Sequence, residues 1–266
     1  MKLKLFATVV LLAAGAMTIS AQEGCDQNSS LSHEYVKAGN FKDAYEPWKA
    51  VMKDCPTLRY YTYTDGFTLL EGLMKTQTKG SAQYQAYFDE MMAAYDQLTK
   101  HLGDFRATGI PTPERVLTNK IQDYLKLAPE IDAKYAYTEL RKVTDLQKDA
   151  ALGSAIFYML QQSFALLAND ATHKEQFLTD YMNSTEWMDK KIADTTSENT
   201  KASYARIREN LDALLINSGA ATCESLEGIY KDKVETSKTD MEFLQQVLTV
   251  MRKLKCTETD TYFQAA

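Results

Sequence analysis

The residues able to do chemistry are few and poorly grouped. The three histidines, His33, His101 and His173, include no pair at metal-ligand spacing. His33-Glu34-Tyr35-Val36-Lys37 comes nearest to a zinc-protease helix, but a lysine stands where the second histidine is needed. A surface role is the expectation for His33. The four cysteines, Cys25, Cys55, Cys223 and Cys256, form no close C-x-x-C pair of the kind that holds zinc. The chain has no G-x-S-x-G elbow and no glycine-rich phosphate loop. Acid pairs such as Asp89/Glu90 lie among many other carboxylates of solvated helices, where nothing supports acid-base work. The expectation is a chain without catalytic residues, metal or cofactor, and not an enzyme.

The cysteines read instead as cross-links. Met1-Lys2-Leu3-Lys4 is followed by an uncharged run from Leu5 to Ile19 and small residues before Gln22. That order is a secretory signal, expected over residues 1–21, with the mature domain over 22–266. The apolar run falls short of the ~20 residues a bilayer span takes. An exported chain forms disulfides, and four cysteines allow three pairings. The spacing favours Cys25–Cys55 and Cys223–Cys256.

Composition narrows the partners. The formal net charge is −6, and it becomes more negative once Lys2 and Lys4 are removed. An acidic surface argues against nucleic acid. Five prolines and eleven glycines leave little room for disordered linkers.

The elements that would carry these residues are helical throughout. Leu244, Val247, Leu248, Met251 and Leu254 fall three or four apart, one stripe of a helix. Capping boxes are read at Thr239/Glu242 and Thr172/Glu175, and a cap with a first-turn proline at Thr112-Pro113-Glu114. Helices are expected over about 27–37, 41–54, 58–75, 82–102, 113–127, 130–147, 149–168, 173–193, 198–217, 222–236 and 240–255, joined by short connections. The stretch from Ala150 to Asn169 carries no charge, but Ser154, Gln161, Gln162 and Ser163 argue for a helix buried among neighbours and against a membrane span. Asp194-Thr195-Thr196 reads as a polar connection between helices.

Residues 25 to 58 make one unit of 34 residues. In it, Leu31 and Tyr35 lead the first helix, Gly39-Asn40-Phe41 makes the turn, and Ala44, Trp48, Val51 and Pro56 mark the second helix and its end. Gly66 then falls at the next small position, with Leu69 three beyond. This spacing resembles the tetratricopeptide repeat, over one full repeat and part of a second. The whole is similar to exported, periplasmic tetratricopeptide-repeat proteins with cysteine-flanked repeats. The resemblance implies an all-α, right-handed α-solenoid of antiparallel hairpins. In that register Cys25 begins one hairpin and Cys55 ends it, and Cys223 and Cys256 repeat the arrangement. Each clamp would contribute about 3–4 kcal/mol if it restricts the unfolded chain. Thr257 and Asp260 look like the cap of a further helix, as in a piece of a longer array.

The resemblance further implies a non-enzymatic scaffold that binds a protein or peptide in a groove lined by first helices. Arg59, Tyr60, Tyr61 and Tyr63 are the candidate partner-binding residues, being types favoured in interface centres. Tyr60 and Tyr63 share a helix face and are expected to pack on Trp48 and Phe67, while Tyr61 points elsewhere. The alternatives are a soluble module for a glycan or small molecule, and an all-helical enzyme whose groups meet only in the fold. Non-reducing peptide mapping is expected to recover Cys25 with Cys55 and Cys223 with Cys256. A Cys55–Cys223 fragment would overturn the hairpin register.

Overall fold

The computed structural model describes residues 23–266; the secretory signal read over residues 1–21 lies outside them. All regular structure among the described residues is helical. Contacts gather into two compact units, one ending at Glu130 and one over Ile131–Ala266.

The first unit contains α1 (residues 23–37), α2 (Phe41–Asp54), α3 (Tyr61–Met74), α4 (Ala82–His101) and α5 (Pro113–Leu127). Gly39 closes α1 at φ +73°, a left-handed conformation that costs glycine little. Its amide bonds Val36 O, and the Asn40 amide bonds Tyr35 O at 2.8 Å, so the chain turns sharply into α2. Ala44, Trp48, Val51 and Met52 form the buried face of α2. The Trp48 indole donates to Thr62 O at 3.0 Å, and a Cβ on Gly66 would stand 2.5 Å from that indole nitrogen. Gly72 is likewise pressed against the ring of Phe41. Two glycines in α3 therefore let α2 approach closely. The helix α2 ends at Asp54, just before Pro56.

One position in the repeat register is corrected. Leu31 is exposed, whereas Ser29, Ser32 and Val36 form the buried face of α1. Small serines suit this face because α1 lies close to α3: Ser29 Oγ is 3.2 Å from the Tyr61 hydroxyl, and His33 Nδ1 is 2.7 Å from Asp65.

Neighbouring helices pack as hairpins, α2 on α3, α3 on α4 and α4 on α5. Bonds also join alternate helices. The Tyr45 hydroxyl of α2 donates to Glu90 of α4 at 2.7 Å, Gln97 of α4 donates to Met52 O at 2.8 Å, and Lys126 of α5 donates to Glu71 of α3 at 2.8 Å. Within the core, Phe67 stacks on Tyr95 with centroids 3.9 Å apart, and the Tyr84 hydroxyl donates to Leu127 O.

The second unit contains α6 (Ala133–Gln147), α7 (Gly153–Asn169), α8 (Lys174–Asp194), α9 (Glu198–Ser218), α10 (Cys223–Thr236), α11 (Met241–Lys253) and α12 (Asp260–Ala265). The uncharged α7 packs against α6, α8 and α9, which accounts for its composition. Among the described residues, no helix is long and apolar enough to cross a membrane. The short α12 packs on α10 and α11.

The paired cysteines lie at disulfide distance, with Cα atoms 6.2 Å apart for Cys25–Cys55 and 5.3 Å apart for Cys223–Cys256. Helix starts shift where a better carboxylate lies nearby. Asp240, not Thr239, caps α11 by accepting from the Phe243 amide. Asp170 accepts from the Thr172 amide and opens a 3-10 turn over Ala171–His173, so α8 begins at Lys174. Thr259 caps α12, while Thr112 caps α5 as read.

The glycine contacts give opposite expectations for two substitutions. In Gly66→Ala the new methyl meets a hydrogen-bonded, buried indole, and overpacking of about 1–3 kcal/mol exceeds the helix-propensity gain of about 1 kcal/mol. Gly228 in α10 meets nothing within 4 Å, so Gly228→Ala is expected to stabilise by about 0.5–1 kcal/mol. Chemical denaturation of both variants checks the pair.

Candidate functional site

Each histidine has a local partner. His33 pairs with Asp65 at 2.7 Å under the ring of Tyr61, and His101 pairs with Asp104 at 2.8 Å. His173 Nε2 lies 2.9 Å from Ser163 Oγ. Among the described residues, no group of three His, Cys, Asp or Glu side chains is placed to hold a metal, and no cysteine is free. The acids Asp89 and Glu90 do not converge: Asp89 accepts from Gln85, and Glu90 accepts from Tyr45.

The fold does bring Ser163, His173 and Asp180 together, a cluster that sequence spacing gave no reason to expect. The Ser163 hydroxyl donates to Asp180 at 2.7 Å. With that hydrogen committed, His173 must supply the N–H of its contact with Ser163. A catalytic triad needs the reverse, with histidine accepting the serine proton and the acid orienting histidine. Asp180 also accepts from Tyr137 at 2.7 Å, Arg141 at 2.6 Å and Gln176 at 2.8 Å. Ser163 and Asp180 are buried. This wiring ties α6, α7 and α8 together.

A second buried network joins α8, α9 and α10. Arg208, 1% exposed, donates to Asp189 at 2.8 Å and also to Asp212. The Tyr181 hydroxyl donates to Asp212 at 2.7 Å and lies 2.5 Å from that of Tyr230. Burial pushes the Asp212 carboxyl up, and the Arg208 guanidinium opposes that shift.

The aromatic candidates lie where α2 gives way to α3. Arg59 is exposed, donates to Asp26 of α1 at 2.9 Å and stands 5.7 Å from the centre of the Tyr61 ring. Tyr61 is half-buried against α1. Tyr60 and Tyr63 do share a face, but the ring each meets edge-on is Phe105 of the α4–α5 connection, at 5.9 Å in both cases. Phe105 carried no signal in the sequence, because connections show no periodicity. Tyr63 is fully buried, which removes it as a direct partner contact. Of the other tyrosines on this side of the chain, Tyr84 is buried and Tyr87 packs edge-on to Tyr45.

Residues 57–61 form one wall of a cleft and residues 104–107 the other, around a volume of about 590 Å³. Its lining includes Leu58, Tyr60, Tyr61 and Phe105, with Arg59, Arg106 and Asp104 beside them. The second unit has a smaller cleft of about 460 Å³ in which Glu186, Asp189, Glu198 and Asp240 mix with Lys201 and Lys233.

No protein-family model, curated protein or solved structure matches this chain.

The Tyr63 hydroxyl has no hydrogen-bond partner, and burial pushes its pKa up to about 12. Tyrosine in the unfolded chain ionises near 10. Below pH ~10 neither state loses the proton, so this group leaves stability unchanged. Between about 10 and 12 the unfolded state ionises first, so stability falls as pH rises. Tyr63→Phe is expected to be neutral or slightly stabilising at pH 7 and to reduce the alkaline loss. Urea denaturation at pH 7 and near pH 11 checks this. A large loss of stability at pH 7 would contradict the unpartnered hydroxyl.

Proposed function

We propose that the chain is an exported, periplasmic helical-repeat scaffold that holds a protein or peptide partner and carries out no reaction of its own. Its hairpins are of tetratricopeptide type and stack as a right-handed solenoid. The observation that carries this reading is the bonding of alternate helices in the first unit: α1 to α3, α2 to α4 and α3 to α5. Stacked hairpins place like helices side by side and so create an extended surface. On that surface α3 presents Thr64 and Thr68, exposed, beside Tyr61 and Arg59. The cysteine pairs support export, since such cross-links persist in oxidising compartments. The inward wiring of Ser163 and Asp180 supports a non-catalytic role.

A small-molecule or glycan module is the second reading, favoured by the aromatic walls and the size of the cleft at residues 57–61, which suits a small ligand. The two are separated by placing a photo-crosslinking residue at Thr64, with exposed Lys53 on α2 as the control. Irradiation in the cell envelope is expected to give a discrete protein adduct from position 64 and none from 53. Equal adducts from both positions, or none from 64, would overturn the scaffold reading.

A further inference from the structure

We propose that the cleft between residues 57–61 and 104–107 recognises an apolar or aromatic side chain flanked by carboxylates, as in an acidic peptide segment. This rests on the scaffold reading and names the kind of segment the scaffold takes.

The apolar part of the preference comes from the walls. Leu58, Tyr60, Tyr61 and Phe105 line a space of about 590 Å³, enough for one large side chain and part of the backbone beside it. Edge-on packing against Tyr60 holds Phe105 in place. Large rings that lose little conformational freedom make good contact surfaces.

The charge preference comes from an imbalance at the rim. Arg59 and Arg106 line the cleft. Arg115 is near enough that its charge pulls the Tyr60 phenol down against the upward push of burial. Two acids oppose these cations, and each is engaged: Asp26 accepts from Arg59, and Asp104 pairs with His101. Arg106 and Arg115 are exposed and enter no ion pair among the described residues. A chain of net charge −6 thus sets two arginines in the lining of one aromatic cleft and a third, Arg115, close to Tyr60, against two acids, a local excess of one positive charge. Guanidinium groups suit carboxylates because they offer paired donors in a planar fork. The complement of this cleft is an apolar group with negative neighbours.

The test uses the full mature chain and isothermal titration at low salt. The probes are acetyl-Asp-Asp-Phe-Asp-Asp-amide, the same peptide with Lys for Asp, and the same peptide with Gly for Phe. The first is expected to bind, with both others at least tenfold weaker. Arg106→Glu is expected to weaken the first at least tenfold without changing the melting temperature, since Arg106 is exposed and unpaired. Equal binding of acidic and basic probes, no binding of any probe, or no effect of Arg106→Glu would overturn the proposal. A dimer of the chain that Arg106→Glu dissociates would overturn it in favour of a second copy as occupant. If the adduct at position 64 survives in Arg106→Glu while the peptide fails to bind, the scaffold stands and the cleft assignment falls. If the peptide binds and no adduct forms, the cleft stands and the scaffold falls.

Discussion

The contact between the Trp48 indole and the bare backbone of Gly66 governs the first unit. The indole fills the space between α2 and α3 and is anchored by its bond to Thr62 O. Because Gly66 has no side chain, α3 approaches closely enough for that bond to form. The position of α3 in turn sets where its first residues emerge. Arg59, Tyr60 and Tyr61 come out between α1 and the α4–α5 connection, so Arg59 reaches Asp26 and Tyr60 reaches Phe105. The cleft is a consequence of how two helices meet, several residues away from its own lining.

The second unit is organised by buried charge. Asp180 and Arg208 would each be costly inside a protein without partners. Each has several, drawn from neighbouring helices: Asp180 from α6, α7 and α8, and Arg208 from α8 and α9. Such networks contribute little net stability over an apolar core, but losing one member leaves an uncompensated charge. In the first of them a serine lies between a histidine and an aspartate, wired in the reverse of a catalytic triad. The hydroxyl hydrogen is committed to the carboxylate, and the serine is closed to solvent.

Much of this was legible from residue types alone. The stripe Leu244, Val247, Leu248 and Met251 is buried as its period implies, and the uncharged run from Ala150 became the helix that touches three others. The turn at Gly39 and the stop before Pro56 also fall where the repeat spacing put them. Pro47 shows the limit of local rules. It removes one backbone donor inside α2, yet the helix continues, carried by the burial of Ala44 before it and of Trp48, Val51 and Met52 after it. Helix starts were less legible, because a carboxylate such as Asp240 or Asp170 competes with the hydroxyl beside it for the same amides. Leu31 was misplaced for a different reason. Hydrophobicity marks a residue able to be buried, but α1 sits so near α3 that its inner face takes serines.

Residue identity and spacing alone determined that the described residues are helical, that the cysteines pair as Cys25–Cys55 and Cys223–Cys256, and that no familiar catalytic or metal-binding motif is written locally. Those properties depend on periods and spacings within one or two helices. The tertiary structure decided which of four neighbouring aromatic and basic residues face solvent. It buried Tyr63, turned Tyr61 against α1 and left Arg59 exposed. It also brought Phe105 and Arg106 across from a connection more than 40 residues away. A side chain's neighbours across such a gap depend on how helices pack, and no period within the chain records that.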